Sequence, residues 1–328
     1  MAKISAIEYY FPENRVYNDQ ENKLTKKIGI FSKYKARKDE TALDLAVKAA
    51  EKLFEKGVCK KEEIDFLLFC TQAPDYILPT SACIIQNKLK MSNNCGALDI
   101  NLGCSGFIYG LSLAKGLIKS NQAKSVLLLT ADTYSKFVNE KDLSTSLLFG
   151  DAAAATLITK SNEDYIGKFV FGTDGSGANN LIIKAGAARE PINSDTVMEF
   201  EDERGIIRNK KDLYMNGPEV FKFAMREVPK SIKTLLEIEN RTLDDYDYFV
   251  FHQANQYMLN ALRRRLEIDE NKFSIQLNDC GNTVSSTIPI ALKREIEKGN
   301  IKDNDNVLLA GFGVGLSWAS CSIKINLN

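Results

Sequence analysis

Apolar runs that end in glycine or a polar cluster alternate, over the whole chain, with segments whose apolar residues recur every three to four positions. Thr41–Phe54 (T-A-L-D-L-A-V-K-A-A-E-K-L-F) has the helical spacing. Ile64–Cys70, Ala97–Asn101, Ser125–Thr130 and Tyr248–Phe251 are short apolar runs with the length and composition of buried strands. Helical patterns follow Gly103 to about Ser120, His252 to about Leu266, and Gly281 to about Lys298. Strands alternating with amphipathic helices predict an α/β protein. No low-complexity segment and no linker interrupts the pattern.

The same pattern occurs twice. K-K-E-E-I-D-F-L-L-F-C (60–70) resembles T-L-D-D-Y-D-Y-F-V-F-H (242–252), and S-V-L-L-L-T (125–130) resembles N-V-L-L-A-G (306–311). Between them, G-C-S leading into a helix (103–120) faces G-N-T leading into a helix (281–298). Three matched elements in one order, each about 180 residues apart, predict a duplicated α/β unit, with halves 1–160 and 161–328. The cleft of such a pair gathers strand ends and helix N-termini from both halves, where open α/β sheets place ligands.

Composition narrows the function classes. The chain has 328 residues, with 43 Lys+Arg balanced by 43 Asp+Glu, so no global charge points to nucleic acid. The N-terminal M-A-K-I-S-A-I-E-Y-Y has no basic region followed by an apolar run, and no apolar stretch reaches the ~18–20 residues of a membrane span. A cytoplasmic location without membrane insertion is expected. Seven cysteines with no C-x-x-C pair argue against a disulfide framework and a structural zinc site.

Three loops could carry chemistry. Cys104, in L-G-C-S-G-F, sits between a strand and a helix, where a thiolate is favoured by the helix terminus and its pKa should fall. A buried structural cysteine fits the local sequence equally well. His252, the only histidine, ends a strand beside polar Gln253 and Asn255, and the repeat brings it to the cleft that holds Cys104. Asn282 lies in the loop that duplicates the Cys104 loop and should sit almost opposite it, although a turn or helix-cap asparagine reads the same locally. G-F-G-V-G-L-S-W (311–318) is not a dinucleotide fingerprint, because its spacing is G-x-G-x-G and only ten residues follow Trp318. Its glycines suit a backbone that approaches the cleft and offers N–H donors.

Together these segments resemble the β-ketoacyl-acyl carrier protein synthase III family of thiolase-like condensing enzymes. The resemblance is carried, in order, by P-T-S-A-C-I-I-Q, C-S-G-F-I-Y-G-L, F-G-D-A-A-A-A, T-D-G-S-G, M-N-G-P-E-V-F-K-F-A, F-H-Q-A-N, G-N-T-V-S-S-T-I-P-I-A-L and G-F-G-V-G-L-S-W, over nearly the whole chain from about residue 40. It implies a five-layer αβαβα fold, catalysis by Cys104, His252 and Asn282, and an oxyanion hole from the backbone N–H groups of Cys104 and Val314. Cys104 would take an acyl group from a thioester, and a malonyl thioester would then lose CO2 to give an enolate held by His252 Nε2 and Asn282 Nδ2. No cofactor or metal is implied, since acyl-coenzyme A or acyl carrier protein serves as substrate. The implied partners are acyl carrier protein and a second copy of the chain. A thiolase would need another catalytic cysteine near the glycine loop, and Gly311–Gly315 has none.

Departures from the family pattern bear on the partners. The Trp and Arg that clamp the coenzyme A adenine are replaced by Lys23 and Leu143, and a neighbouring Arg-Thr by Lys27-Ile28. The arginine after F-H-Q-A-N-x is Tyr257. Leu78 stands where a phenylalanine lines the acyl pocket, commonly across a dimer interface, and Phe149 is the second expected pocket residue. For docking an acidic carrier protein, Arg263 and Arg264 are expected to face outward beside Tyr257, with Arg208, Lys210 and Lys211 as a second candidate patch. An ordinary solvated charged face reads the same way. The alternative to a condensing enzyme is an acyltransferase that passes an acyl group from Cys104 to a hydroxyl, amine or sugar.

Overall fold

The computed structural model describes residues 1–203 and 205–327. Two sheets form the frame. The first is built from β1 (Ala2–Tyr10), β2 (Phe66–Cys70), β3 (Gly96–Ile100), β4 (Ser125–Asp132) and β5 (Ala152–Lys160), in the order β1-β5-β4-β2-β3. The second contains β6 (Ile166–Thr173), β7 (Tyr248–Phe251), β8 (Asn306–Gly313) and β9 (Ser317–Lys324), in the order β7-β8-β9-β6. The strands β7, β8, β9 and β6 thus repeat the arrangement of β2, β4, β5 and β1, with parallel pairs at one side and antiparallel pairs at the other.

Among the described residues, seven helices of six residues or more complete five layers: α1 (Lys23–Ile28), α2 (Ala42–Glu55), α3 (Ser81–Lys88), α4 (Gly106–Lys119), α5 (Gly217–Glu239), α6 (Gln256–Arg265) and α7 (Thr287–Glu297). Helices α2 and α3 cover the outer face of the first sheet, α4 and α7 lie between the sheets, and α5 covers the second sheet with α6 beside it. This is the αβαβα thiolase-like arrangement. The layers explain the patterns. Helix α2 is amphipathic and starts in a capping box, Thr41 accepting from Asp44 N–H while Asp44 accepts from Thr41 N–H. Helix α4 is apolar around most of its circumference because it is covered by both sheets.

Two of the boundaries that differ from the periodicity have a clear local cause. Strand β2 starts at Phe66 rather than Ile64, because a short 3-10 turn (Lys61–Glu63) runs up to Ile64. Asp65 then caps the neighbouring strand, its carboxylate accepting from Lys124 N–H (2.6 Å) and Ser125 N–H (3.1 Å). Helix α7 starts at Thr287, well after Gly281, because residues 281–286 are stitched to the first half. Asn282 N–H donates to the Leu148 carbonyl and its own carbonyl accepts from Gly150 N–H, both at 3.0 Å. Ser285 and Ser286 donate to Asp132 Oδ2 and to the Thr130 carbonyl. Among the described residues no helix is long and apolar enough to cross a membrane.

Candidate active site

Cys104 lies in the loop between β3 and α4 and is buried. The glycines on either side have no room for a side chain. A Cβ on Gly103 would come 2.5 Å from Gln72 Oε1, and one on Gly106 would come 2.2 Å from Cys70 Sγ. His252 follows β7, and Asn282 follows a left-handed Gly281 (φ +73°). All three line one cavity of about 80 Å3 together with Tyr134, Phe149 and Phe312.

The polar contacts fix the orientation of these side chains. Val284 N–H donates to Asn282 Oδ1 (2.9 Å), so Asn282 turns its Nδ2 to the Ala254 carbonyl (3.4 Å) and toward His252 Nε2 (3.5 Å). His252 Nδ1 is 2.7 Å from Thr287 Oγ1, and its ring stands edge-on to Phe312 with centroids 5.6 Å apart. Val284 has φ +53°, rare for a β-branched residue, and is held there by this bond and by complete burial.

Burial sets the protonation states. The His252 imidazole is pushed down to about 3 and is therefore neutral. The Cys104 thiol is pushed up to about 12, first by burial and then by the nearby Asp132 carboxylate. Its own backbone N–H and that of Val314 are directed at the sulfur and pull the other way. The expected fall in thiol pKa is thus not met. A helix terminus carries only about half a charge, and desolvation outweighs it here.

Asp132 was not singled out by the sequence, yet it ties the site together. Fully buried at the end of β4, it accepts from Gln72 N–H (2.8 Å), Ser285 N–H (3.1 Å) and Ser285 Oγ (2.5 Å), and burial holds its carboxyl up to about 7. Its signal was a lone acid directly after an apolar run, in L-L-T-A-D-T-Y.

These two shifts predict a pH response. His252 has a folded value near 3, below its ordinary 6.5, so its contribution to stability is complete above pH 6.5 and is lost as pH falls toward 3. Asp132 has a folded value near 7, above 3.8, so its contribution is complete below 3.8 and is lost as pH rises through 7. From pH ~4 to 6.5 the two slopes oppose each other. Asp132→Asn removes the second, so between those pH values the urea-unfolding free energy of the variant should fall on acidification by about 1.4 kcal/mol per pH unit more than that of the wild type. Equal slopes for the two proteins would contradict the assignment.

The remaining expectations divide. Phe149 lies in the cavity. Leu78 does not line the cavity of its own chain but stands 79% exposed on a loop with Tyr76 and Ile77. Arg263 does not face outward. Its Nη1 donates to the Ile268 carbonyl (3.1 Å) and its Nη2 lies 3.5 Å from Glu270, because the chain turns back under the end of α6. Arg264 and Tyr257 are exposed. Arg208 is buried against Asp142 and Asp202, with its guanidinium over the Tyr214 ring, and leaves the second docking patch. The rim carries an unforeseen stack: Lys27 Nζ lies 4.4 Å over the Tyr257 ring, which is 5.5 Å from Phe221.

A duplicated five-layer fold whose halves close on a cysteine, a neutral histidine and an oriented asparagine defines a thiolase-like acyltransferase of the condensing type. Family models described as 3-oxoacyl-[acyl-carrier-protein] synthase III match residues 98–175, and those of its C-terminal part match residues 236–325. A beta-ketoacyl-[acyl-carrier-protein] synthase III of Clostridium tetani is 40% identical over 95% of this chain and 92% of its own length. A crystal structure of a 3-oxoacyl-(acyl-carrier-protein) synthase III superposes with a TM-score of 0.97 at 47% identity, covering 99% of both chains. A synthase III of Thermus thermophilus does so with a TM-score of 0.88 at 33% identity, again over 99% of both. The chain belongs to the 3-oxoacyl-[acyl-carrier-protein] synthase III family.

Proposed function

We propose that the protein moves an acyl group from a thioester to Cys104 and then condenses it with malonyl-acyl carrier protein, releasing CO2 and a β-ketoacyl thioester. The observation that carries this reading is the orientation of Asn282. Its Oδ1 is committed to Val284 N–H, so only the Nδ2 donor faces the cavity beside His252. A neutral donor suits an enolate that forms on loss of CO2, because it stabilises developing charge without having to reorganise. An acceptor hydroxyl or amine would instead need a base at that position. In the first stage the N–H groups of Cys104 and Val314, which point at the sulfur, would hold the acyl oxyanion as it develops beside that sulfur.

Acyl carrier protein supplies the malonyl group and docks near Arg264 and Tyr257 at the rim. With Lys23 and Leu143 in place of a Trp–Arg clamp, carrier-bound acyl donors are favoured over coenzyme A esters. The working unit is a homodimer. Strand β3 is an edge strand with Leu98 47% exposed, and Leu78 lies on the neighbouring exposed loop. Pairing two such edges would cover both and bring Leu78 to the cavity of the partner.

One experiment tests the reading. The protein is incubated with acyl-acyl carrier protein or acyl-coenzyme A, weighed intact, and then given malonyl-acyl carrier protein. The expected result is an acyl adduct on Cys104 of a particle with dimer mass, followed by CO2 and a β-ketoacyl product. An adduct without CO2 would assign the protein to non-condensing acyl transfer, and a monomer that still condenses would remove the dimer from the mechanism.

A further inference from the structure

We propose that Thr287 is a positioning residue that keeps the proton of neutral His252 on Nδ1, leaving Nε2 as the acceptor for the Cys104 thiol proton. The proposal deepens the acyl-transfer reading above and rests on it.

The hydroxyl of Thr287 has one proton and two neighbours, His252 Nδ1 at 2.7 Å and the Val284 carbonyl at 3.1 Å. If the hydroxyl donates to Val284, it accepts from Nδ1–H, and the hydroxyl, Nδ1 and the Val284 carbonyl are all satisfied. Nε2 is then a lone pair, and it faces Asn282 Nδ2, which is a donor because Val284 N–H already holds Oδ1. The opposite arrangement deprives the buried Val284 carbonyl of this donor and sets Nε2–H against Nδ2–H. Donor would face donor. One strained residue, Val284, thus orients both catalytic side chains: its N–H sets the amide of Asn282, and its carbonyl sets the hydroxyl of Thr287.

The chemistry needs such an acceptor. Cys104 and His252 line the same cavity, and burial holds the cysteine as a thiol. In the first half-reaction Sγ bonds to the thioester carbonyl carbon, its proton passes to Nε2, and the donor C–S bond breaks. The departing thiolate takes a proton from solvent. The malonyl carboxylate then arrives as the counter-ion of the His252 imidazolium and keeps it charged against the burial that holds the resting ring neutral. Loss of CO2 leaves an enolate whose oxygen accepts from Nε2–H and Asn282 Nδ2–H. Once the new C–C bond has formed, the Sγ–C bond breaks and the thiolate recovers the proton from Nε2. Nδ1–H stays on Thr287 throughout, so all proton traffic uses one nitrogen.

Because His252 is the only histidine, 15N-histidine labelling gives two ring signals with no assignment problem. In the resting wild type, Nδ1 is expected to be the protonated, pyrrole-type nitrogen and Nε2 the bare one. Thr287→Val keeps the branched shape and removes the hydroxyl, so its ring should move toward the Nε2–H form. Alkylation of Cys104 by iodoacetamide and its acylation should slow at least about tenfold, while Thr287→Ser stays within about threefold of wild type. CO2 release by pre-acylated Thr287→Val should fall less than acylation does, a split that a loosened fold would not produce. A protonated Nε2 in the resting wild type would overturn the proposal, and so would equal losses in both half-reactions or unchanged Cys104 reactivity in Thr287→Val. Should Thr287→Val not fold, the wild-type spectrum still decides. If acylation occurs without CO2 release, the condensation reading fails, while the tautomer and the alkylation rates still judge Thr287.

Discussion

Replacing Asn282 by aspartate should leave acyl transfer to Cys104 largely intact and lower CO2 release from malonyl-acyl carrier protein by about 10²–10³-fold, the usual cost of one lost oxyanion donor. The geometry explains why so small a change acts so selectively. One side-chain oxygen can still accept from Val284 N–H, so the loop keeps its shape. The other replaces Nδ2, 3.4 Å from the Ala254 carbonyl and 3.5 Å from His252 Nε2, and sets an acceptor against two acceptors. As a carboxylate it repels the malonyl carboxylate and the enolate. As a neutral acid it offers a single proton, with the Ala254 carbonyl competing for it. Acyl transfer uses the N–H groups of Cys104 and Val314 and the lone pair of His252 Nε2, none of which needs the Nδ2 donor, and is largely spared. The measurement is the ratio of adduct formation to CO2 release. If both rates fell together, or neither did, Asn282 would not be the enolate donor.

Gly313→Ala should have the opposite selectivity and abolish the first half-reaction. A Cβ at Gly313 would lie 2.8 Å from both Cβ and Sγ of Cys104, closer than side-chain carbons approach. Because Cys104 Cβ is tied to its backbone, the cysteine would have to swing its sulfur away from the Val314 N–H. A misplacement of about 1 Å can cost ~10² in rate, so adduct formation should fall at least that far. Stability should fall too, because Cys104 Cβ cannot move without its backbone, but by less than at a glycine whose methyl would meet backbone atoms directly. Gly311 provides the contrast: its Cβ would meet the Cys104 carbonyl and Ser105 Cα at 2.9 Å, and Gly311→Ala should unfold the protein instead. Intact mass after incubation with the acyl donor, together with the thermal midpoint, separates the two. An acylated Gly313→Ala protein at wild-type rate would show that the cysteine has freedom the structure does not give it.

How far the molecule was legible varied with the range of the forces involved. Strand β7 has the bounds that its apolar run predicts, and α2 (Ala42–Glu55) matches the periodic segment Thr41–Phe54 to within one residue at each end, because propensity, periodicity and caps act over a few residues. The repeat placed Cys104, His252 and Asn282 at one cleft, because topology follows from element order. Thr287 and Asp132 escaped notice, since neither has a local mark beyond its position at the edge of an element. Arg263 was misjudged because a helical face says where a side chain starts but not where the following turn leads it. Leu78 is exposed in one chain, and a sequence cannot say which surface meets a second copy.

By itself the sequence determined the layers, the duplication, the identity of three candidate catalytic side chains and the family. The tertiary structure alone decided their states: a cysteine held as a thiol, a histidine held neutral, an amide turned by Val284 and a hydroxyl within reach of both. The physical reason is that desolvation and hydrogen bonding depend on atoms brought together from distant parts of the chain. The Cys104 sulfur feels Asp132 and Val314, and neither is its neighbour in sequence.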